Sequence, residues 1–130
     1  MKWESIMNDN KPVFVQIMDI IENDILTGVY HTDDIIISTT QISKIYSVNP
    51  ATAVKAVGKL VDEGILYKKR GIGMCVSNEA FDIIINRRKK EFFEIKCIEF
   101  MQEAARLNID KESIIDIIKN FQGENNDKNK

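Results

Sequence analysis

The sequence predicts a mainly α-helical protein with one small β-hairpin, and residues 48–77 supply the three observations behind that prediction. First, Asn49 is a strong N-cap residue, and Pro50 suits the first position of the helix that follows. Second, apolar residues recur at helical spacing on one face of this helix: Ala53, Ala56, Val57 and Leu60. Third, Gly64 can adopt the positive φ that commonly ends a helix, and two β-prone runs come directly after it.

The two β-prone runs cover residues 65–69 and 74–77. The segment between them contains two glycines, which is the usual signal of a hairpin, and residues 68–70 make its tip basic. A capped helix with a polar outer face followed by a basic hairpin is typical of a winged helix-turn-helix domain. In that arrangement one helix enters a DNA groove and the hairpin, or wing, contacts the backbone.

The residues before this stretch predict two further helices. Pro12 can open the first, which Gly28 ends and which has one apolar stripe: Phe14, Ile17, Met18, Ile21 and Ile25. Residues 31–34 predict a turn, and residues 35–37 a short edge strand. Ser38 and Gln41 form a capping box that begins a second helix, which we expect to carry Ile42 and Ile45 inward. A short turn then joins this helix to the one at Asn49, which completes the helix-turn-helix unit.

After residue 78 the pattern changes to a long helical stretch, followed by a last short helix that Asp110 begins as its N-cap. The basic run at residues 87–90 is expected to be a solvated helix face. Two helices of this size cannot enclose a core of their own, so they must pack on the first domain, on a second copy of the chain, or on both. The residues predicted to form a dimer are Phe81, Ile84, Ile85, Phe92, Ile95, Ile98, Met101, Ile114 and Ile118.

The chain therefore divides into a winged helix-turn-helix domain at residues 1–77, a dimerisation region at 78–122 and a disordered tail at 123–130. Residues 1–11 are expected to form a polar arm that packs loosely. No apolar run approaches the length of a membrane span and the start lacks the apolar segment of a signal peptide, so we expect a cytoplasmic protein without membrane contact.

Charge and composition limit the function. The net charge is −2 at pH 7, and basic and acidic residues are balanced in both halves, so DNA binding must depend on local placement of charge. Cys75 and Cys97 stand alone and are expected to be small apolar residues, and His31 lies in a turn. The sequence contains no catalytic constellation, metal-ligand cluster or phosphate loop, so we predict no enzyme activity, no metal and no cofactor.

Residues 12–77 resemble the GntR family of bacterial transcription regulators. The resemblance is carried by four segments in the family's order and spacing: PVFVQI at 12–17, ILTG at 25–28, VNPAT at 48–52 and LVDEGILYKKRGIGM at 60–74. The turn at Asn49 and the short two-helix C-terminal part look most like the YtrA-like subfamily. The resemblance implies a homodimer that binds an operator as a repressor, an inverted repeat as its site, and transporter genes as targets; it implies no particular effector.

The chain departs from the family's pattern at positions that concern DNA reading. The family usually has Pro-Gly-Asp before the second helix, where this chain has residues 32–34, TDD. The arginine that the family carries at the start of that helix is Thr40 here. A basic residue that the family often has two positions after Thr52 is Val54 here.

The sequence predicts DNA contacts from the front of the second helix, from the front of the third helix and from the wing. These residues are Ser38, Thr39, Thr40, Asn49, Pro50, Ala51, Thr52, Lys55, Lys69, Arg70, Gly71 and Gly73. Two other interpretations stay open. The helix can be a capped surface helix with a solvated hairpin, and the chain can be a winged-helix module for protein interaction and dimerisation with weak or no DNA binding.

Overall fold

The computed structural model describes residues 10–123, so most of the predicted arm at residues 1–11 and of the predicted tail at residues 123–130 lies outside the described residues. The chain divides into two compact units with the boundary between Arg88 and Lys89, and we call them the first and the second unit. The helices are α1 (Val13–Leu26), α2 (Thr39–Tyr46), α3 (Pro50–Asp62), α4 (Ala80–Glu91), α5 (Cys97–Arg106) and α6 (Lys111–Asn120), with a π-helical turn at Phe92–Lys96 between α4 and α5. The strands are β1 (Leu66–Lys69) and β2 (Gly73–Val76).

Helix α1 follows Pro12 and forms as the sequence predicts. Its inward residues Ile17, Met18, Ile21 and Ile25 are buried in the core of the first unit, and Phe14 packs against that core from its edge. Gly28 follows the helix with a φ of +85°, which a residue with a side chain rarely adopts.

Helix α2 begins with the predicted capping box. Ser38 Oγ accepts a hydrogen bond from the Gln41 backbone N–H at 3.1 Å, and Gln41 Oε1 accepts one from the Ser38 backbone N–H at 2.8 Å. Ile42 is fully buried, but the prediction that Ile45 points inward is wrong, because its side chain is 53% exposed. Tyr46, four residues after Ile42, packs against the core in its place.

Helix α3 is the element that α1, α2 and β1 all contact. Asn49 Oδ1 accepts a hydrogen bond from the Ala51 backbone N–H at 2.8 Å, which confirms the predicted N-cap. The apolar face predicted for this helix is buried, since Ala53, Ala56, Val57 and Leu60 are at most 2% exposed. Gly64 follows the helix end with a φ of +82°.

Strands β1 and β2 form the predicted antiparallel hairpin, with Leu66 opposite Val76 and Lys69 opposite Gly73. The strand predicted at residues 35–37 is reduced to a single bridge between Ile35 and Cys75. The chain reaches the cap of α2 at Ser38 immediately afterwards, so it leaves the hairpin edge before a regular strand can form.

Helix α4 is tied to the first unit by a charged cluster. The Arg87 guanidinium pairs with the carboxylates of Glu22 and Glu63, and Arg88 donates to Glu22 at 3.0 Å and to Asn23 Oδ1 at 2.8 Å. The Glu22 side chain is only 1% exposed, so its carboxylate depends on these partners in place of water.

The charged cluster corrects the expectation that residues 87–90 form a solvated face. Lys89 and Lys90 are exposed as expected, but the two arginines before them form ion pairs with Glu22 of α1. Ile84 lies one turn earlier and is fully buried in the core, together with Ala80. The prediction that Ile84 contributes to a dimer is therefore corrected, because its side chain leaves no surface for a second copy.

The second unit buries little of its apolar content within one chain. Asp110 caps α6 as predicted by accepting a hydrogen bond from the Ser113 backbone N–H at 2.9 Å, which lowers the pKa of the Asp110 carboxyl. Ala104 and Ile114 are buried. The large apolar side chains that stay exposed are Phe92, Phe93, Ile95, Ile98, Phe100, Met101, Leu107, Ile109, Ile115, Ile117, Ile118 and Phe121. Among the helices described, none is long and apolar enough to cross a membrane.

We predict that Arg87→Ala destabilises the protein by about 3 kcal/mol, because removing one partner of a buried ion pair leaves a charge without full compensation. The measurement is urea unfolding at one fixed protein concentration. Lys89→Ala is the matched control, since Lys89 is exposed and its loss should change the free energy of unfolding by less than about 0.5 kcal/mol. Equal effects of the two substitutions would contradict a structural role for the charged cluster.

Candidate nucleic-acid interface

The outer face of α3 is open to solvent within the first unit. Ala51, Val54, Lys55 and Gly58 are exposed, and Thr52 is half-buried at the edge of this face. Their spacing of three, four and seven residues places them in one row along the helix. The buried face on the other side fixes the helix, so this row is presented to the outside in a set orientation.

Lys55 has a fixed place in this row. Its Nζ lies 4.2 Å from the centroid of the Phe14 ring, within the range of a cation–π interaction. Since Phe14 packs against the core, α1 holds the lysine charge beside the outer face of α3. The sequence prediction named Lys55 as a contact residue but did not identify its aromatic partner.

The front of α2 and the front of α3 both begin with a side-chain cap. The side-chain oxygens of Ser38 and Asn49 each accept a backbone N–H of their own helix. Asn49 itself is exposed, so its amide nitrogen is accessible to an acceptor from another molecule. Thr40 is exposed at the first turn of α2, and Thr39 beside it is half-buried.

The hairpin exposes its basic residues at the tip. Residues 68–70 are exposed, and the tip is closed by a hydrogen bond from the Ile72 backbone N–H to the Lys69 carbonyl at 2.9 Å. Gly71 and Gly73 have φ values of +77° and +140°, so this turn depends on glycine at both positions. A β-carbon added at Gly71 would meet no atom within 4 Å, so another molecule can approach the backbone there.

Backbone hydrogen bonds join β2 to the segment before α2, and a side-chain hydrogen bond joins β1 to the same segment. The Tyr67 hydroxyl donates to Asp33 Oδ1 at 2.7 Å, and this bond is the main cause that raises the pKa of Tyr67 to about 12. Cys75 lies buried in the opposite strand as the sequence predicts, whereas Cys97 in the second unit is half-buried.

All of the residues predicted to contact DNA lie in the first unit, and none of them is buried. Val54 and Gly58 belong to the same exposed row of α3 but were not among the predicted contacts. Neither residue has a side chain that can form a hydrogen bond or carry a charge. Sequence-based prediction of DNA contacts relies mainly on side chains with such groups.

Two further observations concern a cavity in the first unit and the arrangement of possible metal ligands. A cavity of about 380 Å³ lies between the end of α1, the hairpin and the start of α4, with Tyr30, His31 and Phe81 among its lining residues. Phe81, predicted for dimerisation, is half exposed at this cavity. Within residues 10–123, no group of three His, Cys, Asp or Glu side chains is arranged to hold a metal ion.

Comparison with known proteins agrees with this geometry. A GntR family transcriptional regulator from Listeria monocytogenes is 30% identical in sequence, with a TM-score of 0.69 over 88% of this chain and 99% of that chain. The N-terminal domain of AraR in complex with a mutant operator is 30% identical, with a TM-score of 0.50 over 52% of this chain and 96% of that one. YtrA from Sulfolobus acidocaldarius shares the fold at 22% identity, with a TM-score of 0.52 over 87% of this chain and 90% of that one.

Among curated proteins, the transcriptional regulator GgaR of Escherichia coli is 27% identical over 70 residues, which are 54% of this chain and 28% of GgaR. The chain therefore spans less than a third of the length of this relative. No protein-family model matches the chain. The likeness to the Listeria protein covers nearly all of both chains, and the chain belongs to the GntR family of transcriptional regulators, with a winged helix-turn-helix unit of the kind that binds DNA.

Proposed function

We propose that this regulator is a repressor of the YtrA-like subfamily, which binds an inverted-repeat operator as a homodimer and controls transporter genes. The observation that carries the proposal is the uncovered outer face of α3, since the other elements of the first unit pack on its inner face and leave this one open. A fixed helix with an open, partly basic face followed by an exposed basic hairpin matches the needs of a recognition helix and a wing.

In this proposal the two helix fronts and the wing have different tasks. Asn49, Ala51, Thr52 and Lys55 contact base edges and nearby phosphates from the front of α3. Residues 38–40 contact the backbone from the front of α2, where free N–H groups favour a phosphate. In the wing Lys69 and Arg70 supply charge, Gly71 and Gly73 allow close approach, and Pro50 presets the start of α3.

The homodimer is supported by the exposed apolar surface of the second unit. Phe92, Ile95, Ile98 and Ile118 are each at least half exposed, and Met101 lies near them in sequence at helical spacing. So many exposed large apolar side chains on a small unit favour an interaction site, and a second copy offers the same side chains by symmetry. We assign residues 78–122 to dimerisation on this basis, with Ile85 at its start and Ile114 supporting the surface from inside.

The subfamily and the target genes rest on weaker support. After α4 and the π-helical turn, the described part of the second unit contains two short helices, α5 and α6, and the resemblance to YtrA-like regulators implies a short two-helix C-terminal part. The Sulfolobus protein shares the fold over most of both chains. Transporter genes as targets, and a cytoplasmic location, follow from the resemblance and from membership of a family of transcription regulators.

One alternative function has specific support. The net charge is −2, and Val54 and Thr40 stand where the family often has basic residues. Both observations favour a module that binds another protein and has little affinity for DNA. Retention on DNA at moderate salt separates this alternative from the proposal.

Selection of bound sequences from a random pool of duplex DNA tests the proposal directly. We expect an enriched inverted repeat whose half-sites are about one DNA turn apart, roughly 34 Å, or a multiple of it. A single unrepeated half-site would count against a symmetric dimer on DNA. A pool without any enriched sequence would favour the interaction module.

The dimer is best tested in the full-length chain, because Ala80 and Ile84 complete the core of the first unit and a chain ending at residue 77 would lack them. We expect the double substitution Ile95→Glu and Ile98→Glu to give a monomer in sedimentation velocity, because each new carboxylate would be buried without a partner. Val29→Glu is the control, since Val29 is 62% exposed in the first unit and should leave the dimer intact. A dimer that survives both glutamates would place the interface elsewhere.

We predict that the wing supplies affinity rather than specificity. Replacing Lys69 and Arg70 with Ala should weaken binding to all sequences alike and reduce the slope of log K against log salt by roughly one unit per lost phosphate contact. The measurement is a salt titration on the selected operator and on random DNA. Replacing Lys89 and Lys90 with Ala changes the charge equally and serves as the control. If the control weakens binding as much, the loss reflects net charge and not contact by the wing.

A further inference from the structure

We propose that α3 reads its operator in part through apolar contact, with Val54 packing against the C5-methyl group of a thymine in the major groove. The inference rests on the proposed function, because it requires the outer face of α3 to enter that groove. It assigns a role in specificity to a residue outside the predicted contact set.

The starting observation is the composition of the outer row of α3. Val54 is 57% exposed, although valine is less favourable on an open helix surface than alanine or a long polar residue. Ala51 lies one turn before it and Gly58 one turn after it, and both are exposed. A single exposed valine is common on protein surfaces, so the row as a whole carries the inference.

Gly58 adds a second, independent observation. It lies in the interior of α3, where glycine destabilises a helix relative to alanine. A β-carbon built at Gly58 would meet no atom within 4 Å, so packing inside the first unit does not require the glycine. An open glycine in the middle of a helix is accounted for if another molecule approaches the backbone closely at that point.

Together the three residues form a shallow strip in which valine is the longest side chain. Such a strip lets the helix backbone come close to the base edges, while Lys55 beside it keeps a charge available for a phosphate or a base acceptor. A row of long side chains would hold the helix further from the floor of the groove.

The chemistry of the groove selects the base. Thymine is the base that presents a methyl group in the major groove, and guanine and cytosine present only polar groups there. A valine side chain placed against guanine or cytosine would cover an acceptor or donor without satisfying it, which is unfavourable. Against a thymine methyl group the same side chain gains apolar contact.

The test uses the full-length protein and the operator obtained by selection. Each thymine of one half-site is replaced in turn by deoxyuridine, which lacks only the C5-methyl group. We expect about fourfold weaker binding at one or two positions, the effect of burying one methyl group. In Val54→Ala this difference between thymine and deoxyuridine should disappear at those positions.

Val29→Ala is the matched control, because it makes the same chemical change at a residue of similar exposure before α2. It should keep the full sensitivity to deoxyuridine. Circular dichroism and sedimentation establish that each variant folds and assembles as the unchanged protein does. Alanine is a better helix former than valine, so Val54→Ala is expected to keep the fold.

Three outcomes would overturn the inference, and they differ in what they say about the proposed function. If the unchanged protein binds its operator specifically but no deoxyuridine position matters, Val54 does not read a methyl group and the proposed function stands. The same conclusion follows if the sensitivity persists in Val54→Ala. If the protein selects no DNA sequence, the inference and the proposed function both fail.

Discussion

The buried face of α3 is the constraint on which the first unit depends. Ala53 and Ala56 are fully buried and have no side chain beyond the β-carbon, so α1 and α2 can approach the α3 backbone closely. Leu60 fills the space near the end of α3, and β1 also contacts this helix. A larger residue at either alanine would force the helices apart. Because the inner face supplies the buried contacts that fix the helix, the outer face stays exposed among the described residues apart from the Lys55–Phe14 contact, and it is open to an external partner.

A buried carboxylate extends this constraint to α4. Glu22 requires cationic partners because it is shielded from water, and both of its arginines come from α4. Ile84 enters the core one turn before Arg87, so apolar and ionic contacts hold α4 at consecutive turns. The helix then runs into the π-helical turn at Phe92–Lys96 without a loop. A π-helical turn adds a residue to the helix, which rotates the side chains that follow relative to an unbroken α-helix.

The features that the sequence predicts well are those whose partners lie within a few residues. The capping box at Ser38 and the N-cap at Asn49 are confirmed because each needs only a backbone N–H two or three positions away. The prediction for Ile45 was wrong because the spacing of apolar residues shows that they share one side of the helix. It does not show which of them the core covers. Arg87 was misjudged because its partner Glu22 lies 65 positions earlier in the chain. At the candidate site the charged and capping residues predicted to contact DNA are not buried, and the contact itself stays a prediction. Val54 was not among them because its side chain has no polar group.

The net charge of −2 limits how such a regulator can bind DNA. Affinity for random DNA comes mainly from neutralised phosphates, and the first unit presents few basic residues, chiefly Lys55 and residues 68–70, on its proposed DNA face. A single unit of this kind would hold a half-site weakly. In the proposed homodimer the second half-site is bound at a high effective concentration, so weak half-site contacts would combine into strong operator binding. In this proposal, discrimination between sequences depends on short-range contacts such as the one proposed for Val54. Dissolved ions screen such contacts far less than they screen interactions between charges. We therefore propose that the second unit, by joining two copies, allows both half-sites to be bound at once, and that the outer row of α3 determines which sequence is bound.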